Sequence, residues 1–588
     1  MGNYNWNSYD EVIDNLSFNW YLNDYWTVKG QFSVTKKYSK SEKFIDPLSS
    51  KTSVTGSKDN NLAGDLYTTN GESLDWNSNA FLYYTRSFNK QHNLNVSAGW
   101  EAASGTTEST NAHYRGFPSG EFHSLNYAAE VYKKPTRTEN TTRRVSVLAS
   151  ANYTWNDIYL VDASVRFDGS SEFGANQKWA PFFSGGLGGN IHNYDFFKSN
   201  GYIKKLKLRA SYGRTGKVNF PAYAATTMYE TLFDEWYITG YGAVLKALGN
   251  KDLTWEKTDK LSVGIETKTF HDRLTVDFEY YYNKTIDLVN DVTLSQTSGF
   301  STYKDNMGQV ANKGVELKLR ADIYRDRNWN VALWGNMAHN KNEILKISDS
   351  QKAYNERVAA YYKNEALYQE TLGLSHGAEY SVPLPQYEEG ASLTSIWAVR
   401  SLGIDPTTGK EIFLNRDGSI ADKWNAAQEV VVGNTEPKCS GAFGLNLSYK
   451  NWTLFASFLY EWGGQEYNQT LVNNVENADL VNKNVDLRVL TDRWKKPGDI
   501  AQFKDIKDRG MTTLPTSRFV QDKALVRLNS LNVSYDFNRD WIKKHLRMNL
   551  LRLEASTSDL INWSSIKQER GLSYPRSWKV EFSLKAQF

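Results

Sequence analysis

From Leu16 to Leu22 every second residue is large and apolar (Leu16, Phe18, Trp20, Leu22), with Ser17 and Asn19 between them. After Asn23-Asp24 the alternation resumes through Trp26, Val28, Phe32 and Val34, opposite Thr27, Lys29, Gln31 and Ser33. Successive side chains of a strand point to opposite faces, so this period predicts two strands, each apolar on one face and polar on the other, joined by a tight turn. The signature recurs. Val145, Val147, Ala149, Ala151, Tyr153 and Trp155 lead through Asn156-Asp157 into Tyr159, Val161, Ala163, Val165 and Phe167. Residues 261–265 lead through Phe270-His271-Asp272 into 274–282, residues 315–321 into 331–337, and 443–449 through Lys450-Asn451 into 452–460.

Strands of about ten residues with one apolar and one polar face suit a tilted crossing of a bilayer, although a soluble β-sandwich also alternates. Connection lengths separate the two. Short turns near 23, 89, 156, 270, 326 and 450 alternate with long polar segments, roughly 39–72, 103–139, 168–178, 214–255, 284–312, 340–438, 461–520 and 558–576. Short turns on one side and long loops on the other mark an outer-membrane barrel. The predicted fold is therefore all-β, a transmembrane antiparallel β-barrel with long extracellular loops, occupying 1–588 as one barrel domain. The 340–438 segment counts as one extracellular excursion, with 392–414 as a hairpin inside it.

With the short turns periplasmic, the strand at 13–22 runs inward and the last, 577–588, ends in the periplasm. That arrangement needs about seventeen spanning strands, an odd number, whereas bacterial single-chain barrels use even ones. The last strand is the most regular: Trp578, Val580, Phe582, Leu584, Ala586 and Phe588 alternate with Lys579, Glu581, Ser583, Lys585 and Gln587. A closing amphipathic strand that ends on Phe588 resembles the signal read by the barrel insertion machinery.

Composition fits this picture. Aromatic residues make up 14% of the chain, with 36 Tyr and 19 Trp, yet the mean hydropathy is −0.60, as expected where only alternate residues leave water. No stretch approaches the apolar length of a membrane helix. The net charge of +3 is spread along the chain, which does not imply a nucleic-acid partner. The single Cys439 cannot pair within the chain. The start, Met1-Gly2-Asn3-Tyr4, lacks the basic and apolar regions of an export signal.

Several segments together resemble the SusC/RagA family of TonB-linked outer-membrane transporters. They are residues 159–171 (YLVDASVRFDGSS) with Phe173-Gly174, 179–188 (WAPFFSGGLG), 208–216 (LRASYGRTG), Leu248-Gly249-Asn250 through 253–256 (LTWE), and 306–316 (NMGQVANKGVE). Residues 400–410 (RSLGIDPTTGK) and Arg493-Trp494 with Pro497-Gly498-Asp499 complete the set. The resemblance implies uptake of oligosaccharides or other bulky nutrients, with a SusD-like lipoprotein as lid and the TonB complex as energy source. It also implies a signal peptide, a plug domain with a TonB-box and earlier strands. None is recognisable here, so the chain is expected to hold about 17 of the 22 strands of such a transporter, without the plug. Two other readings are a non-transporting surface protein and a non-functional gene fragment.

No phosphate-binding or dinucleotide fingerprint occurs, and the eight His show no HExxH or other metal-ligand spacing. His113 and His123 are expected to be solvated loop residues, as are the carboxylates Asp59, Asp65, Asp405 and Asp417, which form no EF-hand pattern. Catalysis, a cofactor and a metal are accordingly not expected. The candidate substrate contacts are aromatic residues able to stack on sugar rings: Tyr229, Trp236, Tyr237 and Tyr241 in the 214–255 loop. Tyr354, Tyr361, Tyr362 and Tyr368, with Lys352, Glu356 and Arg357, predict a short loop helix. Ordinary loop packing accounts for the same residues.

Overall fold

The computed structural model describes every residue except 1, 53–61, 199–200, 219, 239, 294–301, 307, 348–350, 353–354, 357–385, 481–484, 508–512, 538, 568–578 and 588. The first strands are β1 (Tyr4–Tyr21), β2 (Trp26–Ile45), β3 (Asp65–Phe88), β4 (His92–Arg115), β5 (Glu130–Trp155), β6 (Tyr159–Ser170), β7 (Trp179–Asn190) and β8 (Ile203–Lys217). Then come β9 (Met228–Tyr237), β10 (Gly240–Ala247), β11 (Glu256–Thr269), β12 (Leu274–Ile286), β13 (Val289–Thr293), β14 (Thr302–Asn306), β15 (Gln309–Arg325) and β16 (Trp329–Lys346). The rest are β17 (Ser395–Ile404), β18 (Glu411–Leu414), β19 (Ile420–Ala421), β20 (Glu429–Asn434), β21 (Cys439–Tyr449), β22 (Trp452–Tyr467), β23 (Val520–Asp536), β24 (Leu550–Ser558), β25 (Asn562–Ser564) and β26 (Lys579–Gln587).

Among the described residues, eighteen strands belong to one large antiparallel sheet, beside two sheets of two strands and one of four. One of the eighteen is β25, three residues long, paired with β23 at Leu525–Arg527. The seventeen that remain match the number predicted from turns and loops. The chain divides into two compact units, one of residues 1–186, 213–257 and 289–306, the other of 187–212, 258–288 and 307–588.

In the first unit β1 to β6 pair in sequence order, and the registers put the predicted apolar residues on one face: Leu16 lies opposite Phe32, and Trp100 opposite Val147, itself opposite Phe167. The Asn156-Asp157 turn holds both residues at positive φ (53° and 55°), the two-residue hairpin geometry that matches strand twist and favours Asn and Asp. The Asn23-Asp24 turn is built differently: the Asn23 carboxamide oxygen accepts from the Tyr25 and Trp26 amides, at 2.9 and 3.0 Å. Where the face carries glycine, an aromatic ring fills the gap, as Phe18 does over Gly30. Trp179 covers Gly169 in the same way and stacks on Phe167.

Two predicted loops shrink. Strand enters the polar stretches 39–72 and 103–139 from both ends, since β2 runs to Ile45, β3 starts at Asp65, β4 runs to Arg115 and β5 starts at Glu130. With both faces of these extensions polar, as in Thr68-Thr69-Asn70, Thr106 to Asn111 and Arg137 to Thr142, the ladder continues after the alternation stops.

In the second unit β12, β15, β16, β21, β22, β23, β24 and β26 pair successively. The hairpin predicted within 340–438 is present as β17 and β18, and β19 and β20 enlarge it to four strands. Unforeseen is the short helix Arg539–Leu546 between β23 and β24. Aromatic rings gather beside the short turns, with Trp329 and Tyr449 4.2 Å apart and Trp452 and Tyr535 4.8 Å apart. In the first unit Trp26 and Tyr84 sit 4.7 Å apart, Trp155 and Tyr159 5.2 Å. Such rings edge the lipid-facing band of outer-membrane barrels. No helix among the described residues is long and apolar enough to cross a membrane.

Candidate functional site

The motifs that are scattered in sequence meet in space. Phe173, Ala180, Phe182, Phe220, Ala225, Leu253 and Trp255 form one buried cluster in the first unit, in which the Phe173 and Trp255 rings stack at 4.2 Å. Its polar ties come from the same motifs. The Asn306 carboxamide accepts from the Thr254 amide at 2.8 Å and donates to the Thr254 carbonyl at 2.9 Å. Glu256 accepts from the Val289 amide at 2.9 Å, and Gly174 donates its amide to Leu253 at 3.0 Å. A Cβ on Gly174 would lie 2.1 Å from the Lys251 carbonyl oxygen, so only glycine fits.

Beside this knot the polar face forms a pocket of about 560 Å³, lined by Asn77 and Asn79 of β3, Glu101 of β4, Arg144 and Ser146 of β5, Arg166 and Asp168 of β6, Lys217 and Trp255. The strand residues occupy alternate positions, the face opposite Trp100, Val147 and Phe167. Arg166 bridges Asp168 (2.5 Å), Glu101 (2.9 Å) and the buried Ser146 hydroxyl (2.8 Å). Arg144 pairs with the buried Glu172 at 2.9 Å.

The second unit has a comparable pocket of about 570 Å³ on its own polar face, lined by Ser211, Lys260, Ser262, Glu279, Tyr281, Asn283, Asn312, Glu316 and Asn340. Arg209 donates there to Asp277 (2.8 Å) and Glu279 (2.7 Å).

The long segments of this unit fold against one another around Leu471, Val472, Val475, Ala478, Val489, Phe503 and Phe519. Arg518 reaches Glu411 at 2.8 Å and the fully buried Glu476 at 2.7 Å, tying 411 to 476 through residue 518. Arg493 donates to the carbonyls of Val489 (3.0 Å), Lys504 (2.9 Å) and Glu476 (2.9 Å). Burial pushes the Glu429 carboxyl up to about 7, despite Arg416 and a hydrogen bond from Gln386. Arg488 holds Asp486 well below the usual carboxylate range.

Of the candidate substrate contacts, Tyr229 and Tyr241 are exposed on the two-stranded hairpin of β9 and β10. Trp236 lies opposite Tyr241 in the ladder and Tyr229 opposite Leu245, so the aromatics occupy both ends of the ribbon instead of one cluster. Nothing is described of the Trp236 and Tyr237 side chains. Tyr354, Tyr361, Tyr362, Tyr368 and Phe588 lie outside the described residues.

Two expectations need correction. His113 is not a solvated loop residue: its Nε2 lies 2.8 Å from an Asp65 oxygen, and its ring stacks on Tyr67 at 4.0 Å. Asp65 is fully buried, because β3 and β4 extend around it and Thr52 donates to its other oxygen at 3.1 Å. Asp405 binds its own turn, accepting from Thr407 and Thr408. Among the described residues no group of three or more His, Cys, Asp or Glu could hold a metal ion. The polar pockets had no sequence signal beyond alternation, since pairing register decides which polar residues become neighbours.

An all-β chain of two-faced strands with short turns, long folded loops and aromatic rims is that of an outer-membrane barrel. The family model described as "TonB dependent receptor-like, beta-barrel" matches residues 1–550, and the chain belongs to that family. Its fold resembles that of the RagAB peptide importer in the "open-open" state, with a TM-score of 0.81 and 21% identity, covering 99% of this chain and 62% of that one. TonB-dependent receptor P3 of Formosa agariphila is 28% identical over 83% of this chain and 48% of its own length. TonB-dependent receptor SusC of Bacteroides thetaiotaomicron is 29% identical over 41% of this chain and 25% of its own. The chain spans about half the length of the first of these, P3.

Proposed function

We propose that the chain is the barrel part of a TonB-energised transporter that brings a bulky nutrient, an oligosaccharide or a peptide, across the outer membrane. The observation that carries this reading is the family match over residues 1–550. The two-faced ladder and the polar pockets support it, since a conduit for polar solute needs a hydrated wall behind a lipid-facing one. On this reading residues 1–588 form one barrel domain, a SusD-like lipoprotein closes its mouth, and TonB acts through a plug. Tyr229, Trp236, Tyr237 and Tyr241 are substrate contacts at the rim, and Phe588 belongs to the insertion signal. Its chemistry is binding and passage without catalysis, cofactor or metal. The test is deletion of the gene for the full-length protein, followed by growth on single oligosaccharides and peptides. Loss of growth on a defined set, restored by the gene but not without TonB, is expected. Unchanged growth on all of them would refute uptake.

A further inference from the structure

The connection from β23 to β24 is held at the short-turn end of the second unit. The Asp536 amide donates to the Asn451 carbonyl at 2.9 Å, and the Asn451 carboxamide donates to the Asp536 carbonyl at 2.6 Å. Phe537 donates its amide to Leu551 at 3.0 Å, and Asn549 donates its own to Gln587 at 2.6 Å. Tyr535 lies opposite Trp452 and Leu553 in the ladder, on the apolar face. Its ring packs on Trp452 and Phe537, with centroids 4.8 and 5.1 Å apart. The helix Arg539–Leu546 therefore starts beside the aromatic rim of the lipid-facing band. Within it Ile542 is 1% exposed, whereas Trp541 is 50% exposed. Trp541, Lys544 and His545 stand three and four positions apart and share one face, and the Trp541 and His545 rings stack at 5.2 Å. Lys543 and Lys544 are exposed and form no ion pair among the described residues. Between Phe537 and Asn549 the cations Arg539, Lys543, Lys544 and Arg547 outnumber the one acid, Asp540. The nearest acid before them in the chain, Asp536, is engaged by Arg552 at 2.5 and 2.8 Å.

We infer that the helix Arg539–Leu546 lies on the periplasmic leaflet of the outer membrane and holds anionic phospholipid there. Trp541 enters the headgroup layer, where an apolar ring with one polar N–H is at home, and Lys543 and Lys544 reach the phosphates with their stems along the boundary. The inference needs the barrel fold and short turns at the periplasmic surface, and is independent of what the barrel transports. The same side carries further exposed rings: Phe196 and Tyr202, between β7 and β8, at 68% and 67%, and Phe270 at 58%. Tyr202 accepts the Phe270 amide at 2.8 Å, which fixes two of them side by side. Continuity with the rim at Trp452 and Tyr535 favours lipid over a soluble acidic partner. A phosphatidylcholine headgroup brings its own cation to the phosphate, whereas phosphatidylglycerol brings none, so the lysines select the second. Each lysine at an anionic surface favours binding by about fivefold.

The test uses the full-length protein with Cys439→Ser and His545→Cys, carrying a fluorophore at the new thiol, in phosphatidylcholine nanodiscs. A minor fraction of the lipid is nitroxide-labelled on its chain, with either a phosphatidylglycerol or a phosphatidylcholine headgroup. Both should quench the fluorophore, the phosphatidylglycerol probe several-fold more strongly at equal mole fraction. Lys543→Gln with Lys544→Gln should remove that excess and leave quenching by the phosphatidylcholine probe unchanged. Lys543→Arg with Lys544→Arg should keep it, and Trp541→Ala should reduce quenching by both probes. Heat-modifiable migration confirms that each variant is folded. Equal quenching by the two probes, or an excess that survives loss of both lysines, would overturn the selection of anionic lipid. Absence of quenching by either would take the helix off the membrane, leave its cations to a soluble partner and overturn the inference. Uptake would stand in every case, since the growth experiment tests it separately.

Discussion

At the scale of single residues, the two faces of one strand make opposite demands. Val147 and Val165 are more than half exposed, at 56% and 59%, beside other exposed apolar residues that a water-soluble protein would cover. Arg at either position should cost roughly 2–4 kcal/mol near the bilayer midplane, measured by urea unfolding in lipid vesicles. Asn152→Arg, on the polar face of the same β5, should cost well under 1 kcal/mol. Equal costs would show that both faces meet the same medium. Glu429 gives a pH prediction for the loop sheet. Its folded pKa, about 7, lies above the ordinary 4.5, so the fold favours the protonated form. Its contribution is fully present below about 4.5 and is lost as pH rises through 7. Glu429→Gln should therefore stabilise the 395–434 region at pH 8 by at most about 3 kcal/mol and change little at pH 5. Hydrogen exchange of the Val399 and Val430 amides at the two pH values would show this, and greater protection of the wild type at pH 8 would contradict it.

Elements differ in how far sequence reveals them. The hairpins around 156 and 450 were legible because lipid on one face and water on the other impose a period of two, and the first also because Asn156 and Asp157 accept the positive φ that its turn requires. Asn156→Val should destabilise its hairpin by about 1–2 kcal/mol, with Asn156→Gly nearly neutral. Equal effects in urea titrations would deny the turn its role. The extensions of β2 to β5 were illegible for the converse reason, since both faces are wet and the pattern vanishes while the backbone ladder persists. The pockets were illegible too: Glu101, Ser146 and Arg166 become neighbours through register, which a single sequence does not display. The loop assembly depends on Arg518. Removing the guanidinium leaves Glu476 buried without its counter-charge, a loss of about 3–5 kcal/mol. Arg518→Met should make 468–519 sensitive to brief trypsin treatment, while the sheet stays heat-modifiable. Unchanged digestion would mean that the apolar cluster around Phe503 and Phe519 suffices.

For the whole molecule, strand length converts topology into a measurable prediction. β5 has 26 residues from Glu130 to Trp155, about 85 Å of strand at 3.3 Å per residue, whereas a tilted crossing uses about 9–11 residues. The aromatic rings beside Trp155 mark the turn end of β5 as the end at a membrane surface, so the surplus projects from the other. Thr138 lies seventeen positions from Trp155, roughly 56 Å along the strand, and even at a tilt of about 45° it stands beyond an apolar band about 25 Å tall. In intact cells carrying the full-length protein with Cys439→Ser, a Thr138→Cys variant should react with a membrane-impermeant maleimide. Asn156→Cys should react only after the outer membrane is opened. Thr231→Cys, in β9, should behave as Thr138→Cys does, because the long segments share one side. Labelling of Asn156→Cys but not Thr138→Cys in intact cells would invert the barrel. It would also put the polar pocket that Arg144 and Ser146 of β5 line, nearer Thr138 than Trp155, on the periplasmic side.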